Sequence, residues 1–272
     1  MNERVPHPPA ASSHNGIYLE QRGAGPPLVM LHGWGLNLRV FDILASTLAA
    51  DFRVFAVDLP GHGRSTATRL ADLEPLLDVL PSRFALLGWS LGGQIALRLA
   101  AQTPARIAAL ILISTTPRFT RAADWSAGLP AAVLDGFAEH LQRDYRRTIS
   151  DFLEWQVRGA MAADATLAAL RATLLNHGEA SGAALRAGLE LLRVSDLRSV
   201  LPSISAPSLL IAGQYDRVTP AAAAQSMLES MPDARLLEIR RAGHAPFLSH
   251  AADCAAAIRA LLEQPQAASC DA

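Results

Sequence analysis

The chain has 272 residues, half of them hydrophobic, so it can bury the core of one large domain without needing a second. All 24 basic residues are arginines, and they nearly balance 25 acidic residues to give a formal net charge of −1. This balance argues against a nucleic-acid-binding protein. No segment has the apolar character of a signal peptide or the length of a membrane span, so we expect a cytoplasmic protein with no membrane partner.

The two ends and the two cysteines carry little information about function. Residues 1–16 and residues 264–272 are predicted to be disordered, because they are rich in proline and small or polar residues. Cys254 lies in an alanine-rich helical stretch and Cys270 lies in the tail, so they form neither a disulfide framework nor a metal site. No two histidines have convincing metal-ligand spacing, and we expect no metal and no cofactor.

Six apolar, strand-like runs recur along the chain, with helical patterns between them. They cover residues 28–31, 54–57, 84–87, 109–113, 209–211 and 236–239. Strands that alternate with helices predict an α/β protein with a mostly parallel sheet flanked by helices. Ligands of such sheets bind beyond the carboxyl ends of the strands, so chemistry is expected at that edge.

One connection is too long for a simple crossover between parallel strands. We therefore predict an all-helical cap at residues 117–205, inserted into a core made of residues 17–116 and 206–263. Residues of the cap recur at spacings of three and four, which marks one face of a long helix or of a bent helical pair; they are Val133, Phe137, Leu141, Tyr145, Ile149, Phe152 and Gln156. Most of this stripe is expected to pack on the core, and some of it to line a cleft.

The sequence Gly-Trp-Ser-Leu-Gly at residues 88–92 lies between a strand-like run and a helical pattern. A serine on such a strand-to-helix turn is typical of a nucleophile elbow, which exposes the hydroxyl of Ser90 above the sheet. The turn leaves no room for side chains at Gly88 and Gly92. Because the short motif also occurs by chance, a base and an acid must accompany it.

Candidates for the acid and the base follow later strands, in the order that this fold uses. Asp216 follows the run at 209–211, and His244 follows the run at 236–239. Taken alone, Asp216 is typical of a turn or helix cap, and His244 of an ordinary loop histidine. Their joint placement predicts a catalytic triad in which His244 is the base for Ser90 and Asp216 orients it.

An ester hydrolase also needs backbone N–H groups that hold the oxyanion. One candidate is the N–H of Leu91, at the start of the predicted helix, where amides are unpaired. The other is the N–H of Trp34, in the His-Gly-Trp-Gly loop after the first parallel strand. The Trp34 indole either walls the acyl pocket or only packs, and the sequence leaves both open.

Four motifs carry a family resemblance: residues 31–37, 88–93, 188–192 and 244–250. From about residue 17 to residue 262, the chain resembles the α/β-hydrolase superfamily, and these motifs resemble the pimeloyl-acyl-carrier-protein methyl ester esterases of biotin synthesis. The resemblance implies the α/β-hydrolase fold with a helical cap. It also implies a serine carboxylesterase that frees the pimeloyl carboxylate and methanol.

The resemblance further implies where the substrate lies. In that family the acyl chain lies between cap and core, and a cap segment of Phe-Leu-x-x-Gln type matches residues 152–156. The implied substrate contacts are Trp34, Ser90, Leu91, Phe152, Leu153, Glu154, Trp155, Gln156 and His244. Glu154 and Trp155 depart from the smaller apolar residues expected at their positions.

The family also uses cap arginines to hold its acyl carrier protein, so that protein is the implied partner of a monomeric enzyme. The candidates are Arg143, Arg146, Arg147 and Arg158. From residue 117 to 195, nine arginines face nine acidic residues, so the cap has no net charge. A solvated, salt-bridged helix face is the other interpretation of these arginines.

Other functions remain open because a fold does not fix the acyl group. The same triad would serve a general short-chain carboxylesterase, a lactonase or a carbon-carbon bond hydrolase. A non-catalytic ligand receptor on this fold is the alternative outside enzymes. Such a receptor could dispense with a complete triad, whereas this chain has a candidate at every position.

Overall fold

The computed structural model describes residues 9–67, 69–70 and 74–263, so the disorder predicted for residues 1–8 and 264–272 lies outside the described residues. Within these residues, eight strands form one sheet in the order β1-β2-β4-β3-β5-β6-β7-β8. The strands are β1 (Ala10–His14), β2 (Ile17–Arg22), β3 (Pro27–Leu31), β4 (Arg53–Val57), β5 (Phe84–Trp89), β6 (Ile107–Ile113), β7 (Ser208–Gly213) and β8 (Ala234–Ile239).

Helices cover the sheet and form the insertion. They are α1 (Asp42–Leu48), α2 (Glu74–Asp78), α3 (Leu91–Gln102), α4 (Ala131–Arg143), α5 (Tyr145–Val157), α6 (Ala163–His177), α7 (Gly182–Val194), α8 (Ala221–Ser230), α9 (Pro246–Ser249) and α10 (Ala251–Leu262). Short 3-10 turns lie at Leu38–Phe41, Pro104–Arg106 and Arg198–Ser203. Among the helices in the described ranges, none is long and apolar enough to cross a bilayer.

The parallel part of the sheet places the site. Strands β3 to β8 pair in parallel, and every residue of β5 and β7 is buried, as expected for strands covered on both faces. The chain passes from β3 to β4 on one side, and β5 then pairs with β3 on the other side. The crevice beyond the carboxyl ends of β3 and β5 is therefore the switch point at which such sheets bind ligands. The predicted α/β sheet is confirmed.

The N-terminal edge differs from the sequence prediction. Residues 10–14, which we expected to be disordered, form β1 and pair antiparallel with β2 across a tight turn. Asn15 and Gly16 occupy this turn with φ of 50° and 74°, which is the Asn-Gly signature of a two-residue hairpin. All five residues of β1 are exposed, so the strand forms through backbone pairing and shows no apolar pattern in the sequence.

The insertion is helical, as predicted, and consists of α4 to α7 between β6 and β7. For the first part of the insertion we predicted either one long helix or a bent helical pair, and the structure has the bent pair, α4 and α5. The break lies at Asp144, whose extended backbone (φ −150°) ends α4 and whose carboxylate accepts a hydrogen bond from the N–H of Arg147 at 3.0 Å to cap α5. Contacts between the cap and the loop after β3 hold it over the carboxyl edge: the Trp34 indole donates to the Leu185 carbonyl at 2.9 Å.

Candidate active site

The turn between β5 and α3 holds Ser90 in a strained backbone conformation. Its φ of 56° and ψ of −117° lie in a region that residues other than glycine rarely adopt. A Cβ at Gly88 would collide with the carbonyl oxygen of Gly92, and one at Gly92 would collide with the carbonyl oxygen of Leu31. Glycine at both positions is therefore a steric requirement, as predicted from the motif.

Three side chains from separate loops meet at this turn. His244 Nε2 lies 2.9 Å from Ser90 Oγ, and His244 Nδ1 lies 2.8 Å from Asp216 Oδ2. All three side chains are buried, with relative exposures of 3%, 1% and 6% for the serine, histidine and aspartate. The structure brings the three predicted residues together in the order that activates a serine hydroxyl.

The environment of Asp216 keeps its carboxylate ionised. Burial alone would raise the pKa of Asp216, but the charge and hydrogen bond of His244 and the hydrogen bonds of Thr219 outweigh it, and the pKa is lowered. Oδ1 accepts from the backbone N–H groups of Val218 and Thr219 at 2.8 and 2.9 Å, and Oδ2 from the Thr219 hydroxyl at 2.7 Å. A fixed, charged carboxylate can hold the imidazole in one tautomer and stabilise its cation.

The predicted oxyanion donors belong to two segments that adjoin Ser90. Leu91 is the first residue of α3, so its N–H is one of the unpaired amides at the helix start. The loop after β3 lies against the same turn, since a Cβ at Gly33 would be 3.3 Å from the Ser90 Cβ. Trp34 follows in that loop, and its side chain lines a cavity together with Ser90.

This cavity is apolar and narrow. Its walls are Trp34, Ser90, Phe119, Leu129, Leu134, Phe137, Phe152, Trp155, Leu189, Leu192 and Val218. The rings of Phe152 and Trp34 meet edge to face with centroids 5.2 Å apart, so a cap helix and a core loop form one wall. Its apolar lining favours hydrocarbon over water, although the space between the walls is no larger than about one water molecule.

Several predicted substrate contacts do not line this cavity. Glu154 is exposed, pairs with Arg171 of α6 at 2.6 Å and does not line the cavity, so its implied substrate contact stays a prediction without support from this geometry. The reason is helical geometry: residues 152–156 cover all sides of α5, and only Phe152 and Trp155, three apart, share the cavity face. Leu153 is buried and does not line it.

Gln156 joins the cap to the catalytic loop. Its carbonyl accepts a hydrogen bond from the N–H of His244 at 3.1 Å. Both polar atoms of its buried side-chain amide lack a hydrogen-bond partner among the described residues. Because buried amides are rarely left unpaired, this one is a candidate contact for a polar group of a ligand.

Some wall residues were not predicted from the sequence. Phe119 and Leu129 precede α4 in an irregular segment that has no periodic pattern, and nothing in the sequence marked them. Val218 lies two residues after Asp216, and this closeness to the predicted acid was the one sequence signal that could have marked it as a wall residue. Leu189 and Leu192 lie within the motif at residues 188–192, but they were not predicted as cavity walls.

Two other histidines near the site, His32 and His62, have structural roles in the surrounding loops. His32 Nδ1 donates to the Gly33 carbonyl at 2.8 Å, and its Nε2 accepts from the N–H of Leu59 at 3.0 Å. Burial lowers the pKa of His32 and lowers that of His62 to about 3, so both rings are neutral at physiological pH. Within the described ranges, no cluster of three or more histidine, cysteine or acidic residues could hold a metal ion.

The fold and this site define a hydrolase of the nucleophile-elbow type. A sequence model described as the Alpha/beta hydrolase family matches residues 28–257, and the chain belongs to that family. A solved structure titled "Esterase (EaEST) from Exiguobacterium antarcticum" superposes with a TM-score of 0.83 and is 26% identical, covering 91% of this chain and 96% of its own.

The sequence is more similar to a particular group within the family. A protein from Nitrosomonas europaea named "Pimeloyl-[acyl-carrier protein] methyl ester esterase" is 46% identical over 237 residues, which are 86% of this chain and 94% of that protein. A protein of the same name from Chromobacterium violaceum is 42% identical over 251 residues, covering 91% and 97%. The resemblance stated from the motifs is confirmed.

Proposed function

We propose that the protein is a serine carboxylesterase that hydrolyses the methyl ester of pimeloyl-acyl-carrier protein, releasing methanol and the free carboxylate. The observation that carries the proposal is the continuous hydrogen-bonded chain from Ser90 through His244 to Asp216 beneath an apolar cap cavity. The relatives of that name, at 41–46% identity over most of the chain, support this substrate.

In the first half of the reaction, Ser90 Oγ attacks the terminal ester carbonyl while His244 Nε2 takes the hydroxyl proton. The carbonyl oxygen becomes an oxyanion, which the N–H groups of Trp34 and Leu91 would hold. His244 then gives its proton to the methoxide leaving group. Methanol departs, and the pimeloyl group stays on Ser90 as an acyl-enzyme.

In the second half, water replaces the serine hydroxyl as nucleophile. His244 Nε2 takes a proton from the water as its oxygen attacks the acyl carbonyl, and the same two amides hold the new oxyanion. Collapse of this intermediate returns the proton to Ser90 Oγ and releases the carboxylic acid. Throughout both halves Asp216 stays ionised and stabilises the imidazolium.

The cap would supply a binding site for an aliphatic chain once the closely packed cavity walls move apart. Phe152 and Trp155 of α5, with Trp34 of the core, present carbon surface to the methylene groups next to the ester. Burial of each methylene contributes about 0.8 kcal/mol, so the chain itself can supply much of the binding free energy. The buried amide of Gln156, which lacks a partner among the described residues, would pair with a polar group of the substrate.

A groove on the cap surface is a candidate docking site for the carrier protein. Its walls are His140, Arg143, Asp144, Arg147, Thr148 and Asp151. Helices α4 and α5 contribute walls to both this groove and the acyl cavity. The groove holds two cationic side chains, Arg143 and Arg147, which could orient an acidic partner, and two carboxylates, Asp144 and Asp151, which balance their charge.

The other two predicted carrier contacts are placed differently. Arg146 is exposed, lies 3.5 Å from Glu179 and does not line the groove, whereas Arg147, which lies 3.8 Å from Asp151, does line it. Arg158 follows the last residue of α5, a helix length of roughly 17 Å from Arg147. We therefore assign docking to Arg143 and Arg147 ahead of Arg158.

The test compares a carrier-bound ester with a small one. Purified protein is incubated with pimeloyl-acyl-carrier protein methyl ester, and intact-mass measurement detects loss of one methylene unit from the carrier. We expect Arg143→Glu with Arg147→Glu to raise KM for this substrate and to leave p-nitrophenyl ester hydrolysis unchanged. Arg158→Glu is the matched control, and an equal effect of this variant would contradict the assigned docking site.

A general short-chain esterase is the second candidate, favoured by the structural neighbour whose title calls it an esterase. Equal kcat/KM for carrier-bound ester and small unlinked esters would support it. A non-catalytic receptor would fail to react with a fluorophosphonate probe at Ser90. The monomeric state and the cytoplasmic location stay predictions.

A further inference from the structure

Thr219 is a third partner of the catalytic carboxylate. It is buried, three residues after Asp216, in the turn before α8. Its hydroxyl donates to Asp216 Oδ2 at 2.7 Å, the same oxygen that lies 2.8 Å from His244 Nδ1. Thr219 Oγ1 lies 3.5 Å from His244 Nδ1, so hydroxyl, carboxylate and imidazole form a compact triangle.

We propose that Thr219 is a positioning residue. Its hydroxyl fixes the Asp216 carboxylate against His244 and moderates how strongly that carboxylate holds the imidazolium. This inference rests on the proposed esterase mechanism and adds to it a fourth side chain. Thr219 does not touch the reacting atoms; it acts through Asp216.

The hydrogen-bond inventory of Asp216 supports this role. Its Oδ1 is fixed by two backbone donors, and they hold the plane of the carboxylate. Its Oδ2 is shared between His244 and the Thr219 hydroxyl, with no backbone donor among the described hydrogen bonds. A side-chain substitution can therefore remove one of the two bonds to the catalytic oxygen without disturbing the other carboxylate oxygen.

Loss of the Thr219 hydroxyl should affect both the pH profile and the rate in a definite direction. A hydrogen bond from the hydroxyl draws negative charge away from the interaction between Oδ2 and the ring. Without it, Oδ2 directs more of its charge toward the ring, and the carboxylate loses one of the two bonds that orient it. The first effect should move the acid limb of the pH profile upward, and the second should slow proton transfer from Ser90 because His244 is less well aligned.

Few charged groups other than Asp216 lie near the His244 ring. Asp216 is the one carboxylate in contact with the His244 ring among the described residues, and the exposed Arg217 and Arg241 lie on the loops of the acid and the base. The β5–α3 turn contributes the neutral Trp89 and Ser90, and α5 contributes the neutral amide of Gln156. A change in the pH profile on removing the hydroxyl would therefore report the Asp216–His244 pair.

The experiment measures kcat and KM for a p-nitrophenyl ester from about pH 5 to 9 in Thr219→Val, an isosteric change. We expect kcat to fall roughly 10-fold with KM nearly unchanged, and the acid limb of kcat/KM to move up by about 0.5 pH unit, a part of one charge-assisted hydrogen bond. Thr219→Ser, which keeps the hydroxyl, should restore both values. Thr219→Ala provides a second variant if the valine variant does not fold.

The matched control is Thr173→Val, which removes a buried hydroxyl that donates to the Leu170 carbonyl in the cap. It should leave the pH profile unchanged. The proposal is overturned if Thr219→Val keeps the wild-type profile and kcat, or if Thr219→Ser behaves like Thr219→Val. Failure of the wild-type protein to hydrolyse any ester would instead contradict the proposed function.

Discussion

A buried hydrogen bond between cap and core offers a quantitative test of the structure. His177, the last residue of α6, donates from Nε2 to Asp58 Oδ2 at 2.8 Å, and neither side chain is exposed. Arg39 Nε lies 3.4 Å from His177 Nδ1 and donates to it, so a neutral ring satisfies both contacts. Asp58 also accepts from the backbone N–H groups of Leu38 and Arg64, each at 2.8 Å.

The magnitude follows from what the substitution His177→Leu would leave behind. The carboxylate of Asp58 would lose one charge-assisted hydrogen bond and keep two backbone donors. The loss is therefore expected to cost about 2 kcal/mol of unfolding free energy, below the roughly 3–5 kcal/mol for a buried charge left without a partner. For a chain of this size, the midpoint of thermal unfolding should fall by roughly 4–8 °C.

The loss of unfolding free energy in His177→Leu should depend on pH in a definite direction. Burial raises the pKa of Asp58, but hydrogen bonds from His177 and two backbone N–H groups, together with the influence of His32, outweigh it and lower the pKa. A carboxyl with a lowered folded-state pKa contributes stability above its unfolded pKa and loses it as the pH falls through the folded value. The gap between wild type and His177→Leu should therefore narrow below about pH 4.

Urea unfolding followed by circular dichroism, at pH 7 and at about pH 3.5, measures both quantities. His140→Leu, an exposed histidine on α4, is the control and should change stability by less than about 0.5 kcal/mol. A His177→Leu variant as stable as this control at pH 7 would refute the reasoning, and so would a gap that is equally large at both pH values.

Three further substitutions test the site. Asp216→Asn should lower kcat by about 10⁴-fold with little change in KM, because the imidazole is no longer held in the required tautomer; steady-state kinetics measures this. Gly188→Ala would place a Cβ 2.6 Å from the Trp34 Cδ1, so we expect kcat/KM to fall by roughly 10- to 100-fold. The control is Gly136→Ala, whose new Cβ would have no other atom within 4 Å, and it should leave the kinetics unchanged. Glu154→Gln should leave ester hydrolysis unchanged, because this exposed carboxylate does not line the cavity, and a large rise in KM would support it as a substrate contact.

The parallel sheet and the order of the triad were readable from the sequence because each depends on local patterns. Apolar runs mark buried strands, and the residues after them must lie at one edge of the sheet. The edge strand β1 was missed because its residues are exposed and form a strand by backbone pairing. The Asn15-Gly16 pair was a turn signal from which that hairpin was predictable.

The site beneath the cap was less predictable. The resemblance assigned residues 152–156 as one block, whereas a helix turns by about 100° per residue and directs Glu154 away from the cavity. Phe119 and Leu129 reach the cavity from an irregular segment, so their place depends on tertiary packing. The Thr219 contact with Asp216 required side-chain geometry that a sequence does not contain.

The most direct test of the account is hydrolysis of pimeloyl-acyl-carrier protein methyl ester by the purified protein and by Ser90→Ala, followed by intact mass. The wild-type protein should release methanol and leave a free pimeloyl carboxylate on the carrier. The variant should lose at least about 10⁴-fold in kcat while its thermal unfolding stays close to wild type. If Ser90→Ala retained substantial methyl-ester hydrolysis, the Ser90–His244–Asp216 mechanism would be contradicted.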